Sequence, residues 1–245
     1  MRYAHWVKYN NNFGDILTPI ILRHYGLPVR WCGRGRGKKI LAVGSILPRM
    51  LPGDIIWGAG TLRGSQKLVA PPGVQFLAVR GPKTRSLVLN ADVPEVYGDP
   101  AILLPEIFPM ERQADFEVGV IFHEAEAHVA RPKPDPRVHL IDINSGVKEV
   151  IREVTRCQIV LSSTLHGVIV AEAYGIPAVW IKASDKLIGG PWKFNDYYLS
   201  TDREPRAGVP WKGDTFGIAA KAEAPPKMNT EPLVEALGPL RPREK

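Results

Sequence analysis

Ile159-Val160-Leu161-Ser162-Ser163-Thr164-Leu165-His166-Gly167 runs into Val168 to Tyr174, then Gly175, then Ala178 to Ile181. A short wholly apolar run that stops at small hydroxyl residues reads as a strand buried on both faces. The apolar stretch 168–174, closed by a glycine, reads as a helix. The apolar run after it reads as a second strand. Strand, helix and strand in this order imply a right-handed parallel α/β unit, with functional groups where the strands end.

Working outward, the same signature recurs at Ile40 to Val43 before Gly44-Ser45, at Asp54 to Gly60, and at Gln75 to Arg80. Beyond the midpoint it returns at Phe116 to Phe122 and Val138 to Ile143, with a helix expected from Val147 to Arg156. The chain opens with strand-favouring Tyr3, Trp6, Val7 and Tyr9, so a first strand is expected within 1–9. A turn at 10–15 precedes a helix from Leu17 to Tyr25, with Asp15 placed to cap it and Pro19 in its first turn. Lys83 to Leu89 reads as a short helix, and Glu95 to Pro100 as the end of a strand. Ala101 to Leu104 starts a helix that Pro105 interrupts. Residues 186–213 read as an aromatic, loop-rich stretch, and Pro232 to Leu237 as a last helix. Glu111 to Asp115 lacks apolar periodicity and reads as a linker, dividing the chain at 1–112 and 113–245. The fold class is α/β.

Composition narrows the function. The chain has 245 residues, 44% hydrophobic and 23% charged, enough for an ordinary core. No apolar run approaches a bilayer span, and the first residues lack a secretory pattern, so a cytoplasmic protein is expected. The net charge of +7 favours anionic partners, whether phosphorylated metabolites, nucleotide sugars, acidic lipid surfaces or nucleic acid, and composition does not choose among them. The basic residues read as dispersed and no nucleic-acid reader motif is present, so no nucleic-acid partner is expected. Cys32 and Cys157 form no CxxC pair and read as structural thiols. His123 and His128 are five apart, where a shared helix face needs four, so no metal site is expected. Gly33-Arg34-Gly35-Arg36-Gly37 has neither the dinucleotide spacing nor a Walker lysine, and reads as a solvated loop.

Four segments carry chemistry. At Ser162 to Gly167, a strand delivering hydroxyl residues to a helix start exposes N–H groups suited to phosphate or carboxylate. His166 lies within that site, able to move a proton near neutral pH. The same spacing serves a helix cap with a packed histidine, and both readings stand. Arg80 directly follows a strand in Val79-Arg80-Gly81-Pro82-Lys83-Thr84, where a guanidinium suits paired contacts to an oxyanion and Lys83 adds charge. In Asn12-Phe13-Gly14-Asp15, the glycine admits close backbone approach, and Asp15 suits orienting a hydroxyl or acting as a base. Asp99 in Gly98-Asp99-Pro100-Ala101 serves either a site or a helix cap.

Together and in this order, the segments at 12–15, 79–84, 98–101 and 163–177 resemble the polysaccharide pyruvyltransferase family. The resemblance implies two Rossmann-like lobes facing a cleft, similar to the B-type glycosyltransferases. It implies transfer of pyruvate from phosphoenolpyruvate, a co-substrate rather than a cofactor, onto two hydroxyls of a sugar as a cyclic ketal. His166 and Arg80 would then serve the donor and Asp15 the acceptor. Asn12, Gly14, Lys83, Asp99, Ser163, Thr164 and Leu165 would line the substrates. The acceptor would be lipid- or nucleotide-linked, with peripheral contact to the inner face of a membrane. Many relatives carry an arginine where this chain has Thr164, so either Arg80, Lys83 or Lys182 compensates or the donor differs. A nucleotide-sugar glycosyltransferase, or a carbohydrate- or anion-binding protein without catalysis, would share the same scaffold.

Overall fold

The computed structural model describes residues 2–8, 13–65, 67–185 and 189–241. In chain order the strands and helices begin with β1 (Arg2–Ala4), α1 (Leu17–His24), β2 (Val29–Trp31), β3 (Lys39–Leu41) and β4 (Ile55–Trp57). They continue with β5 (Leu68–Val69), β6 (Gln75–Ala78), α2 (Pro82–Arg85), β7 (Val88–Leu89) and α3 (Leu104–Ile107). The second series is β8 (Phe116–Ile121), β9 (Val138–Ile141), α4 (Val147–Thr155), β10 (Cys157–Ser162), α5 (Leu165–Ala173) and β11 (Ala178–Lys182). Last come α6 (Gly190–Leu199), β12 (Val209–Pro210), α7 (Thr215–Ala219) and α8 (Glu231–Glu235).

Two five-stranded sheets result, ordered β2-β1-β3-β4-β6 and β12-β11-β10-β8-β9. Every pairing in them is parallel. The α/β class with parallel sheets, expected from the short apolar runs, is what the chain forms.

One apolar cluster joins the sheets. It holds Ala4, Leu17 and Ile21 from the first series and Ile121, Val160 and Val168 from the second. Helix α5 is buried nearly all round, with Val168, Ile169 and Val170 at 0% exposure. Each such side chain stabilises the fold by roughly 1.5–3 kcal/mol. Tyr174 Oη donates to the carbonyls of Leu104 at 3.1 Å and Phe108 at 2.8 Å, tying α5 to α3. Trp57 Nε1 donates to Leu233 O at 2.8 Å, so α8 packs against the first sheet.

Several local expectations are corrected. Asp15 does not cap α1; the position before that helix is Ile16, with no side-chain cap bond. Residues 83–89 are not one helix: α2 ends at Arg85, and 88–89 pair with β5 instead. Pro105 is the second residue of α3, where its missing N–H is harmless, and does not interrupt the helix, which follows a 3-10 turn at Pro100–Leu103. The aromatic stretch contains the ten-residue helix α6. Its Gly189-Gly190-Pro191 start hid it, because glycine lowers helix propensity.

Candidate active site

A cavity of about 350 Å³ opens where strands of both sheets end. The first series contributes Gly14, Asp15, Ser45 and Arg49; the second contributes His123, Thr164, Leu165 and His166, and α6 adds Lys193.

The turn from β10 to α5 is braced before it offers anything to a ligand. Ser162 Oγ accepts from Thr164 N at 3.0 Å, and Thr164 Oγ1 caps the helix by accepting from Gly167 N at 2.9 Å. Ser163 is fully buried; its Oγ donates to Glu126 at 2.5 Å and accepts from His123 N at 2.9 Å. Ser163 therefore holds the 123–126 turn in place and does not reach the cavity, whereas Thr164 and Leu165 line it.

His166, the second residue of α5, is set between two neighbours. Its Nε2 faces Asp99 Oδ2 at 3.5 Å. Asp99 Oδ1 accepts from Ala101 N, so this carboxylate both caps a turn and addresses the imidazole. Asp99 Oδ2 and His166 Nε2 are sealed from solvent, with no hydrogen-bond partner among the described residues. Buried polar atoms are rarely left unpaired, which marks these two as each other's counterpart. The other ring nitrogen, Nδ1, lies against Gly14, where any Cβ would fall 1.9 Å from it. Only glycine permits this approach. Gly14 thus belongs to the site as the floor under the histidine.

Charge gathers around that ring. Asp15 is pushed up chiefly by burial, opposed by the positive charges of His166 and Arg49. Burial lowers Arg49, whose Nη1 lies 3.0 Å from His5 Nε2. Burial also lowers Lys193 to about 8, with Arg80 adding to the shift. His123 and His5 are lowered in the same way. His123 Nδ1 accepts from Ala125 N at 3.1 Å, leaving Nε2 as its protonated nitrogen when neutral.

Arg80 occupies a different place. It is fully buried, its Nε paired with Asp196 Oδ2 at 3.0 Å, its Nη1 donating to Ser45 Oγ at 2.8 Å and its Nη2 to Thr61 O at 2.6 Å. The guanidinium passes over Gly60, where a Cβ would meet Cζ at 2.3 Å. Asp196 also accepts from Thr84 N and Oγ1, so the pair locks α6 to the start of α2. Arg80 stands behind the cavity wall and orients Ser45, which lines it. Lys83 lies with its Nζ 4.4 Å from the Trp192 ring centroid, outside the cavity. Lys182 pairs with Asp185 at 2.6 Å and is likewise outside. Asn12 lies outside the described residues.

Arg49 and Lys193 were not among the residues expected from sequence. Arg49 ends a proline-containing 3-10 turn, Leu47–Arg49, and Lys193 sits in the helix hidden within the aromatic stretch. Neither is flagged by a motif.

The chain is 32% identical over 169 residues to the uncharacterized protein L143 of Acanthamoeba polyphaga mimivirus, covering 63% of this chain and 57% of that one. It is 24% identical over 234 residues to the succinoglycan biosynthesis protein ExoV of Rhizobium meliloti (strain 1021), covering 91% of this chain and 70% of ExoV. The chain thus spans little more than half the length of the mimivirus relative. No solved structure matches it. The sequence pattern of the polysaccharide pyruvyl transferases matches residues 11–185, and the chain belongs to that family.

Proposed function

We propose that the chain moves pyruvate from phosphoenolpyruvate onto two hydroxyls of a sugar, forming a cyclic ketal in polysaccharide assembly. The observation that carries this reading is His166, backed by a sealed carboxylate on one nitrogen and set beside a cavity holding Arg49 and Lys193. The name of ExoV, a succinoglycan biosynthesis protein, supports the polysaccharide setting. The two sheets act as Rossmann-like lobes, 1–112 and 113–245, around a cleft in the manner of B-type glycosyltransferases, and the protein works in the cytoplasm.

In this mechanism Arg49, Lys193 and the free N–H groups at the start of α5 bind the donor's carboxylate and phosphate. Arg49 and Lys193 supply the charge that Thr164 lacks. His166, as imidazolium, gives the proton on Nδ1 to the methylene carbon of phosphoenolpyruvate, turning it into a methyl group. The adjacent carbon becomes electrophilic and bonds to the first sugar hydroxyl, whose proton passes to Asp15. The phosphate C–O bond breaks, and the second hydroxyl closes the ring. Of the two hydroxyl protons, one replaces the proton spent on carbon and the other leaves with phosphate. Burial of Asp15 strengthens it as a base.

Phosphate release from phosphoenolpyruvate, measured with and without a panel of sugar acceptors, tests the assignment. Acceptor-dependent release is expected. Indifference to phosphoenolpyruvate combined with turnover of a nucleotide sugar would replace it with glycosyl transfer.

A further inference from the structure

The positive charge of this chain is not dispersed. Residues 1–53 carry nine Lys and Arg against Asp15 alone, a net of +8, while the remaining 192 residues carry 23 against 24. Pairing is just as uneven. In the second series Arg137, Arg152, Arg156, Arg203 and Arg206 all hold carboxylates. In the first 53 residues Lys39 alone has such a partner among the described residues, and that pair, with Asp54, is fully buried. Arg2, Lys8, Arg30, Arg34, Arg36 and Lys38 are exposed, and none of them has a carboxylate partner among the described residues.

These six share one region. Strand β2 is the edge of its sheet, and its pairing with β1 puts Arg2 beside Val29 and Tyr3 beside Arg30. The Arg36 guanidinium lies 3.6 Å from the Tyr3 ring centroid, and Lys8 Nζ lies 4.3 Å from that of Trp31. Arg2, Tyr3 and Lys38 line one shallow depression. The region reaches the cavity, because Arg34 is close enough to influence both His5 and Arg49. Val7 and Arg49 lie in the cavity wall.

We propose that this edge, built on β1, β2 and the 33–38 loop, docks the protein onto an anionic phospholipid surface. Six exposed cations spread along an open edge, where the one buried cation among the described residues of 1–53, Lys39, is already held by Asp54, suit a broad field of negative charge. Nucleic acid is disfavoured, because Arg36 and Lys8 already occupy a face of the Tyr3 and Trp31 rings on which a base would stack. Docked this way, the protein presents its cavity beside the lipid headgroups, within reach of an acceptor anchored there. The docking stands independently of the pyruvyl-transfer reading, and its test uses no activity.

Sedimentation of the full chain with vesicles decides the question. Phosphatidylcholine vesicles containing about 30% phosphatidylglycerol should bind the protein at low salt and release it at high salt, while pure phosphatidylcholine should not bind it. The triple substitution Arg34→Glu, Arg36→Glu, Lys38→Glu should weaken partitioning on the order of 100-fold, as loss of three surface cations implies. Lys212→Glu, Lys221→Glu, Lys227→Glu removes as much charge from exposed positions of the other series and should leave binding nearly intact. If the first triple variant unfolds, the milder Arg34→Gln, Arg36→Gln should still lower partitioning about 30-fold. Absence of binding to the anionic vesicles, equal loss in both triple variants, or displacement from vesicles by single-stranded nucleic acid would each overturn the proposal.

Discussion

His166 Nε2 and Asp99 Oδ2 face each other at 3.5 Å, each sealed from water and without another partner among the described residues. A buried carboxylate without a counter-charge is costly, so in the proposed mechanism Asp99 orients the ring through Nε2 and Nδ1 is the nitrogen turned to substrate.

Asp99→Asn should therefore lower kcat by about 10- to 100-fold while KM for phosphoenolpyruvate changes little. Nitrogen NMR of the His166 ring should show Nε2 protonated in the wild type and a changed tautomer balance in the variant. The charged groups around the ring are Asp99, Asp15 and Arg49, with Glu124 and Lys193 also in the cavity wall. A pH–rate profile that stays unchanged in Asp99→Asn would assign Asp99 to capping Ala101 alone.

Gly14→Ala would put a methyl group 1.9 Å from Nδ1. The ring must move, so activity should fall at least tenfold while overpacking costs about 1–3 kcal/mol of stability. Kinetics together with chemical denaturation checks both halves.

Arg80 and Arg49 should separate cleanly. Arg80→Ala leaves the buried Asp196 without its counter-charge, held only by Thr84, and should cost about 3–5 kcal/mol. Arg49→Ala should cost little stability and raise KM for phosphoenolpyruvate. Thermal melts of both variants beside their steady-state kinetics test the division.

If Lys193 holds the donor as proposed, donor binding should depend on pH. Its amine is held at about 8 by burial, so it is charged below that pH and loses its charge as pH rises through it. Affinity for phosphoenolpyruvate should be full near neutrality and fall above pH 8. Lys193→Arg, which keeps its charge, should flatten that fall in a calorimetric titration.

Both thiols should be inert in the folded protein. Burial pushes Cys157 up to about 12 and raises Cys32 as well. Iodoacetamide at mild alkaline pH should label neither until denaturant is added.

Much of this was legible in the sequence wherever one segment carries the whole message. The run from Ile159 to Ile181 announced a parallel strand–helix–strand unit and the histidine at its turn, because strand end, cap and helix are contiguous. Asp99 posed a choice between cap and site; one of its oxygens accepts from Ala101 N and the other faces the imidazole of His166. Arg49 and Lys193 stayed hidden because their importance arises only when segments nearly 150 residues apart meet at one cavity. Arg80 was marked by its position after a strand, yet the same position let Asp196 enclose it. Charge placement along the chain, counted by segment, would have exposed the basic edge.

Carbon-13 phosphoenolpyruvate offered with a sugar acceptor in deuterated water tests the central claim most directly. A ketal whose methyl group carries one deuteron, with one phosphate released per ketal and a loss of at least 100-fold in His166→Ala, is the expected result. Phosphate release without a ketal, or a His166→Ala variant within tenfold of wild type, would contradict it.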